Sequence, residues 1–223
     1  MTYDKLLLEL NACAESAFAD FQRKLILPPK QNILGVRTPT LRKIAKKYLS
    51  EIDDVFAFPD EYYEVTFIKL TMAAHLPYEQ FVTYLDRCVG LIDNWALCDS
   101  FKAPCVASRK REFLPVIERY FATGEEFYQR YALVMLLFYY VEEEYVDVLI
   151  SFLRKADRSK YYVYMACAWL TVEILIKHYD VGVSILQHNV LDVKTHNKSI
   201  QKAQESFRLN DEQKRYLKTL KIS

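Results

Sequence analysis

Apolar positions recur three and four residues apart along this chain, the period of a helix with one buried face. Tyr3 to Lys24 follows that period, with a break near Asn11. The stretch LPPKQNILGV reads as a loop, punctuated by Pro28, Pro29 and Gly35. Thr38 and Pro39 then open a helix, Thr38 suiting the cap and Pro39 the first helical position. In that helix Leu41, Ile44, Ala45, Tyr48 and Leu49 fall on one face, and Arg42, Lys43, Lys46 and Lys47 on the other. Residues 51–64 are acidic, without Lys or Arg. Further helices are predicted over 61–75, 78–89, 94–107, 111–122, 126–140, 143–155, 160–178, 181–188, 194–207 and 211–220. Pro115 falls inside the 111–122 segment and predicts a first turn or a kink there.

Runs such as FVTYLDRCVGLI, FLPVIERYF, YALVMLLFYY and VDVLISFL repeat in pattern but not in letters. Two-helix units at roughly 40 residues are the spacing of HEAT-like repeats, and periodicity alone leaves a repeat array and an irregular bundle both open. Only 4 Gly and 7 Pro punctuate 223 residues. All-β folds spend far more on turns, so the fold class is all-α, with about ten to twelve helices of about 11–12 residues each. No stretch has the composition of a linker, which predicts a single domain over residues 1–223.

Composition narrows the picture. Apolar residues at 52% and charged residues at 26% exclude a disordered or low-complexity chain. The 5 Cys are Cys13, Cys88, Cys98, Cys105 and Cys167, an odd number without a C-x-x-C pair. Buried reduced thiols are expected rather than disulfides or a zinc site. The N-terminus lacks a signal-peptide layout, and the longest apolar run, Tyr131 to Val141, is too short to span a bilayer. A cytoplasmic protein with no membrane and no metal is the expectation. Thirty Lys and Arg against 29 Asp and Glu give +1, which excludes a uniformly basic surface but not a locally basic one. From Lys194 onward eight basic residues face three acidic ones, a composition that suits an anionic partner or a solvated helix pair.

The Gly-rich phosphate loops, nucleophile elbow and H-E-x-x-H motif are all missing from the sequence. What remains is subtler. Trp95 and Asp99 stand four apart in DNWALCDSF, so a helix sets both on one face. Read alone, such a pair is a core indole and a surface carboxylate. Arg130, before YALVMLLFYY, reads alone as a surface charge at a helix end.

The segments ILGVRTPTLRKIAKK, DNWALCDSF, YQRYALVMLL and MACAWL, in this order, resemble the DNA alkylation repair family of HEAT-like repeat DNA glycosylases. The resemblance runs from about Leu25 to the C-terminus. It implies a right-handed α-solenoid whose concave basic face grips double-stranded DNA. It also implies a monomer that excises positively charged N3- or N7-alkylated purines without a cofactor. Trp95 and Asp99 match the family's W-x-x-x-D pair, Arg130 its Arg before the apolar helix, and Trp169 its later Trp. Arg37 and Thr38 fall where the family approaches the backbone near the lesion. Arg42 and Lys43 add exposed positive charge beside them.

The implied chemistry is coherent. An alkylated purine is already cationic, so it leaves without a strong general acid. The Asp99 carboxylate stabilises the oxocarbenium-like sugar and positions water. The indoles of Trp95 and Trp169 add cation–π attraction, and Arg130 holds a phosphate. The stretch VYMACAWLTVEI departs from the pattern, having no basic residue where the family's catalytic members carry one after the second Trp. Two other readings stay open from the residues: a DNA-binding module that does not excise, and a HEAT-like scaffold for proteins.

Overall fold

Why two of the helices show almost no amphipathic pattern becomes plain in the computed structural model, which describes residues 1–26 and 30–222. The chain divides into two compact units, Met1–Ser108 and Arg109–Ser223, each built around one helix that is buried on nearly every side. A helix that is apolar all round has to be an interior helix.

The first unit holds α1 (Tyr3–Ala12), α2 (Ser16–Leu25), α3 (Thr38–Lys47), α4 (Ile52–Phe56), α5 (Tyr63–Ala74), α6 (Tyr78–Gly90) and α7 (Trp95–Ser100). Its central helix is α5, against which α3, α4, α6 and α7 pack. Two charged side chains of α5 are fully buried, and both are satisfied. Lys69 donates to Phe58 O at 2.6 Å and to Asp60 Oδ1 at 2.8 Å. Glu64 accepts the backbone N–H groups of Leu34, Gly35 and Val36 at 3.1, 2.8 and 3.3 Å.

The second unit holds α8 (Lys110–Ala122), α9 (Glu126–Tyr139), α10 (Val146–Lys155), α11 (Tyr161–Lys177), α12 (Tyr179–Gln187), α13 (Val193–Glu205) and α14 (Asp211–Thr219). Here α11 is central, with α9, α12 and α13 against it. The helices α8, α10 and α12 start at Lys110, Val146 and Tyr179, a closer recurrence than the expected spacing of roughly 40 residues. Among the described residues the fold is all-α. Extended backbone pairs in a single bridge, Asn32 with Tyr62.

The fourteen α-helices among the described residues exceed the ten to twelve expected, and the differences have local causes. The acidic segment hides α4, whose Asp53 and Asp54 favour a helix N-terminus. The helix expected over 94–107 stops at Ser100, and Pro104 restarts the chain as a 3-10 turn to Ser108. Proline lacks the N–H that would continue the helix and biases Ala103 away from helical geometry. Likewise the helix expected from residue 143 starts with a 3-10 turn, Glu143–Tyr145. Thr38 is not the cap of α3. The helix already includes it, and Arg37 holds the cap position without a side-chain capping bond. Pro115 lies past the first turn of α8, on its exposed side, where the carbonyl it leaves unbonded can meet water. Of the loop markers, Gly35 is described, while Pro28 and Pro29 lie outside the described residues. Cys88, Cys98 and Cys167 are buried, but Cys13 is exposed and Cys105 is half-buried. No helix among the described residues is long and apolar enough to cross a membrane.

The Glu64 contacts generate a prediction. Glu64→Gln keeps the shape but turns an NH₂ group toward backbone donors. Unfolding free energy should fall by about 2–3 kcal/mol, the scale of buried hydrogen bonds to a charged acceptor. Urea melts of the two proteins read it; equal midpoints would deny Glu64 this role.

Candidate functional site

Helix α7 is short because both of its ends are fixed. Asn94 caps the start, its Oδ1 accepting Leu97 N–H at 3.0 Å, and its own amide donates to Asp93 Oδ1 at 2.7 Å. Phe101 leaves helical geometry at the other end. Leu97 and Cys98 anchor the helix in the core. Trp95 and Asp99 therefore share one side of a six-residue helix, and both are half-buried. The indole Nε1 of Trp95 donates to Leu25 O at 3.1 Å, which ties the ring to the end of α2.

Three residues past Asp99 lies Lys102, half-buried, with Arg42 of α3 in electrostatic reach. Burial pushes the Lys102 ammonium below the ordinary lysine range. The Arg42 guanidinium pushes the same way, and the Asp99 carboxylate opposes both. The first unit thus brings Asp99, Arg42 and Lys102 into one electrostatic neighbourhood. Arg42 and Lys43 project from α3 into solvent, opposite the buried Leu41, Ile44 and Ala45.

Arg37 is engaged elsewhere. Its guanidinium reaches the Glu15 carboxylate through Nη2 at 2.7 Å and Nε at 3.1 Å, and sits 4.1 Å from the centre of the Phe18 ring. The hydrogen bonds from Arg37 hold the Glu15 carboxyl below the usual range. Thr38, next to it, is half-buried in the first turn of α3.

In the second unit α9 and α11 carry the other two candidates. Arg130 is only 5% exposed, which rules out the surface-charge reading. Its Nη1 donates to Tyr162 O at 3.0 Å, and its guanidinium lies 5.7 Å from the centre of the Tyr162 ring. Glu126, one turn earlier, accepts Tyr162 N–H at 2.7 Å. The two side chains together clamp the first turn of α11. Trp169 lies about two turns further along α11, half-buried, with Phe138 edge-on to it at 5.7 Å and 88°. A cavity of about 690 Å³ on α8, α9 and α10, lined by Glu118, Phe121, Gln129, Asp147, Phe152 and Lys155, includes none of the sequence-predicted residues. The described residues hold no group of three or more potential metal ligands from His, Cys, Asp and Glu.

Sequence reasoning missed Lys102, Glu15 and Asn94. Asn94 carried a readable signal, an Asn directly before an apolar helical run. Lys102 and Glu15 carried none, because their relevance comes from chain segments far apart in sequence.

The Arg130 clamp generates a prediction. Arg130→Ala should cost about 1–3 kcal/mol, because it leaves the part-buried Tyr162 carbonyl without this charged donor. A surface arginine would cost almost nothing. Thermal unfolding decides, and an unchanged melting temperature would remove the clamp.

Residues 6–198 match the family model described as DNA alkylation repair enzyme. Among curated proteins none matches the chain.

Proposed function

The chain belongs to the DNA alkylation repair enzyme family, and from that premise we propose that it is a DNA glycosylase releasing positively charged N3- or N7-alkylated purines from double-stranded DNA. The observation that carries the reading is the pairing of Trp95 and Asp99 on one side of α7, both partly open, beside the cations Arg42 and Lys102. A carboxylate next to an exposed Arg42 and a half-buried Lys102 suits a substrate with anionic phosphates and a sugar that becomes cationic.

The chemistry follows from the charges. As the bond from C1′ to the alkylated base breaks, the base takes both electrons and becomes neutral, while positive charge grows on the sugar. Asp99 stabilises that charge at short range and orients the attacking water. Trp95, its N–H held by Leu25 O, presents an indole for cation–π attraction. In the second unit the proposal gives Trp169 a second indole role and Arg130 a phosphate contact alongside its clamp on α11. Arg42 and Lys43 bind phosphates directly, whereas Arg37 does so at the expense of Glu15, and Thr38 lines the same helix start. The reaction as proposed uses no cofactor or metal, and the protein acts as a monomer.

A second reading, DNA binding without excision, draws on the absence of a basic residue from VYMACAWLTVEI around Trp169 and on the burial of Arg130. Single-turnover release of 7-methylguanine and 3-methyladenine from methylated duplex separates the two. Under the glycosylase reading both bases are released, and Asp99→Asn slows release by about 10²-fold or more. Duplex affinity stays level or rises slightly in that variant. Affinity itself should fall with salt, at a log–log slope of about −0.9 per phosphate neutralised. Wild-type rates in Asp99→Asn would end the catalytic assignment. Salt-independent or absent duplex binding would end both readings.

A further inference from the structure

Three tyrosines, Tyr161, Tyr162 and Tyr164, open α11, and the glycosylase chemistry uses none of their rings. Tyr161 is 56% exposed, yet its ring is held in place. It makes T-shaped contacts with Tyr162 at 5.1 Å and 87° and with Tyr164 at 5.4 Å and 89°. Tyr162 is pinned in turn by Glu126 on its N–H and Arg130 on its carbonyl. Tyr164 is buried, and Lys194 Nζ lies 3.9 Å from the centre of its ring. An exposed ring fixed in this way has little freedom left to lose when a flat partner stacks on it. The charges bonded to the patch match one another except for Lys194. Lys160 pairs with Asp157 and Arg158 with Asp192, while Arg130 and Glu126 share the Tyr162 backbone. Among the described residues Lys194 has no carboxylate within ion-pairing distance, and it stands in the first turn of α13, where the helix dipole opposes a cation. An aromatic face beside an unmatched cation suits a nucleotide whose base is unpaired: the base stacks, and the phosphate meets the amine. In a duplex, neighbouring pairs cover those base faces.

We propose that the Tyr161 face is a stacking platform for an unpaired base of single-stranded DNA, with Lys194 on a neighbouring phosphate. The second unit thereby gains a contact that paired bases do not make. The inference rests on the proposed function only for the polymer being DNA; it needs neither base release nor Asp99. Stacking accepts any base, because each has a π-face, so the platform binds without reading sequence.

The test uses the full chain and a short labelled oligothymidylate, which does not pair with itself. Fluorescence anisotropy at low salt should show binding. Tyr161→Ala should weaken it by about tenfold, the scale of one lost base–aromatic stack, and leave affinity for a blunt duplex unchanged. Tyr161→Phe keeps the ring and should bind as the wild type does. Lys194→Gln should make the log–log salt slope for the oligonucleotide shallower by about 0.7, one phosphate contact on a single strand. No oligothymidylate binding, wild-type binding in Tyr161→Ala, or an equal loss of duplex affinity in that variant would overturn the proposal. So would self-association in sedimentation that Tyr161→Ala abolishes, since the patch would then belong to a second copy of the chain. Release of 7-methylguanine without oligothymidylate binding would remove the platform and leave the glycosylase. Oligothymidylate binding that depends on Tyr161, without base release, would do the reverse.

Discussion

A buried carboxylate held by backbone N–H groups is the constraint on which the first unit depends. Glu64 is fully buried on α5, and its partners are three consecutive donors, Leu34, Gly35 and Val36. Without it, those donors would lack that acceptor in the interior, each at a cost of about 1–3 kcal/mol. With it, the loop closes onto α5 and the start of α3 is set. Gly35 makes the closure possible. Its φ is +88°, and a Cβ there would meet Glu15 O at 2.4 Å and Ala19 N at 2.6 Å. Because the loop passes so close to the start of α2, Glu15 and Arg37 come within reach of one another. The ion pair at the sequence-predicted Arg37 is thus a consequence of how Glu64 is satisfied.

The second unit solves a similar problem with several side chains. Gln129 donates to Phe121 O and accepts Asp157 N–H, both at 3.1 Å, so one amide joins the end of α8 to the chain after α10. Its sequence neighbour Arg130 binds Tyr162 O while Glu126 binds Tyr162 N–H. Three polar residues on one stretch of α9 therefore fix both the entry to α11 and the loop before it. The orientation of Trp169 inherits that precision, since it stands on the same helix.

How much of this the sequence could reveal follows from the range of each interaction. Helix positions were legible because the apolar period is local; α9 and α11 stand within a residue or two of their expected bounds. Breaks were illegible at Pro104, which lies inside the helix expected over 94–107, and where a 3-10 turn replaced the first turn of a helix at Glu143–Tyr145. The displaced cap at Thr38 shows why boundaries are harder. Threonine suits a cap locally, but a tertiary contact between Arg37 and Glu15 accompanies the earlier start. The pairing of Trp95 with Asp99 was readable from their spacing alone. The burial of Arg130 was not, because nothing in YQRYALVMLL says that a carbonyl from α11 will arrive to accept from it.

The near-neutral composition takes on a different meaning once the ion pairs are placed. Many cations are spent internally: Arg37 on Glu15, Lys47 on Glu9, Arg208 on Glu173 and Lys202 on Glu205. Among the described residues Arg42, Lys43 and Lys194 have no carboxylate within ion-pairing distance, and Lys194 rests on the Tyr164 ring at 3.9 Å. A phosphate meeting these three displaces only water, whereas one meeting Arg37 has to displace a carboxylate as well. The net charge of +1 therefore says little about affinity for a polyanion. What governs it is the cations left unmatched, and two of them, Arg42 and Lys43, stand on the helix whose Arg42 also acts on Lys102. Binding charge and reacting charge are coupled there, since a phosphate neutralising Arg42 would weaken the push on Lys102 and leave the pull of Asp99 less opposed.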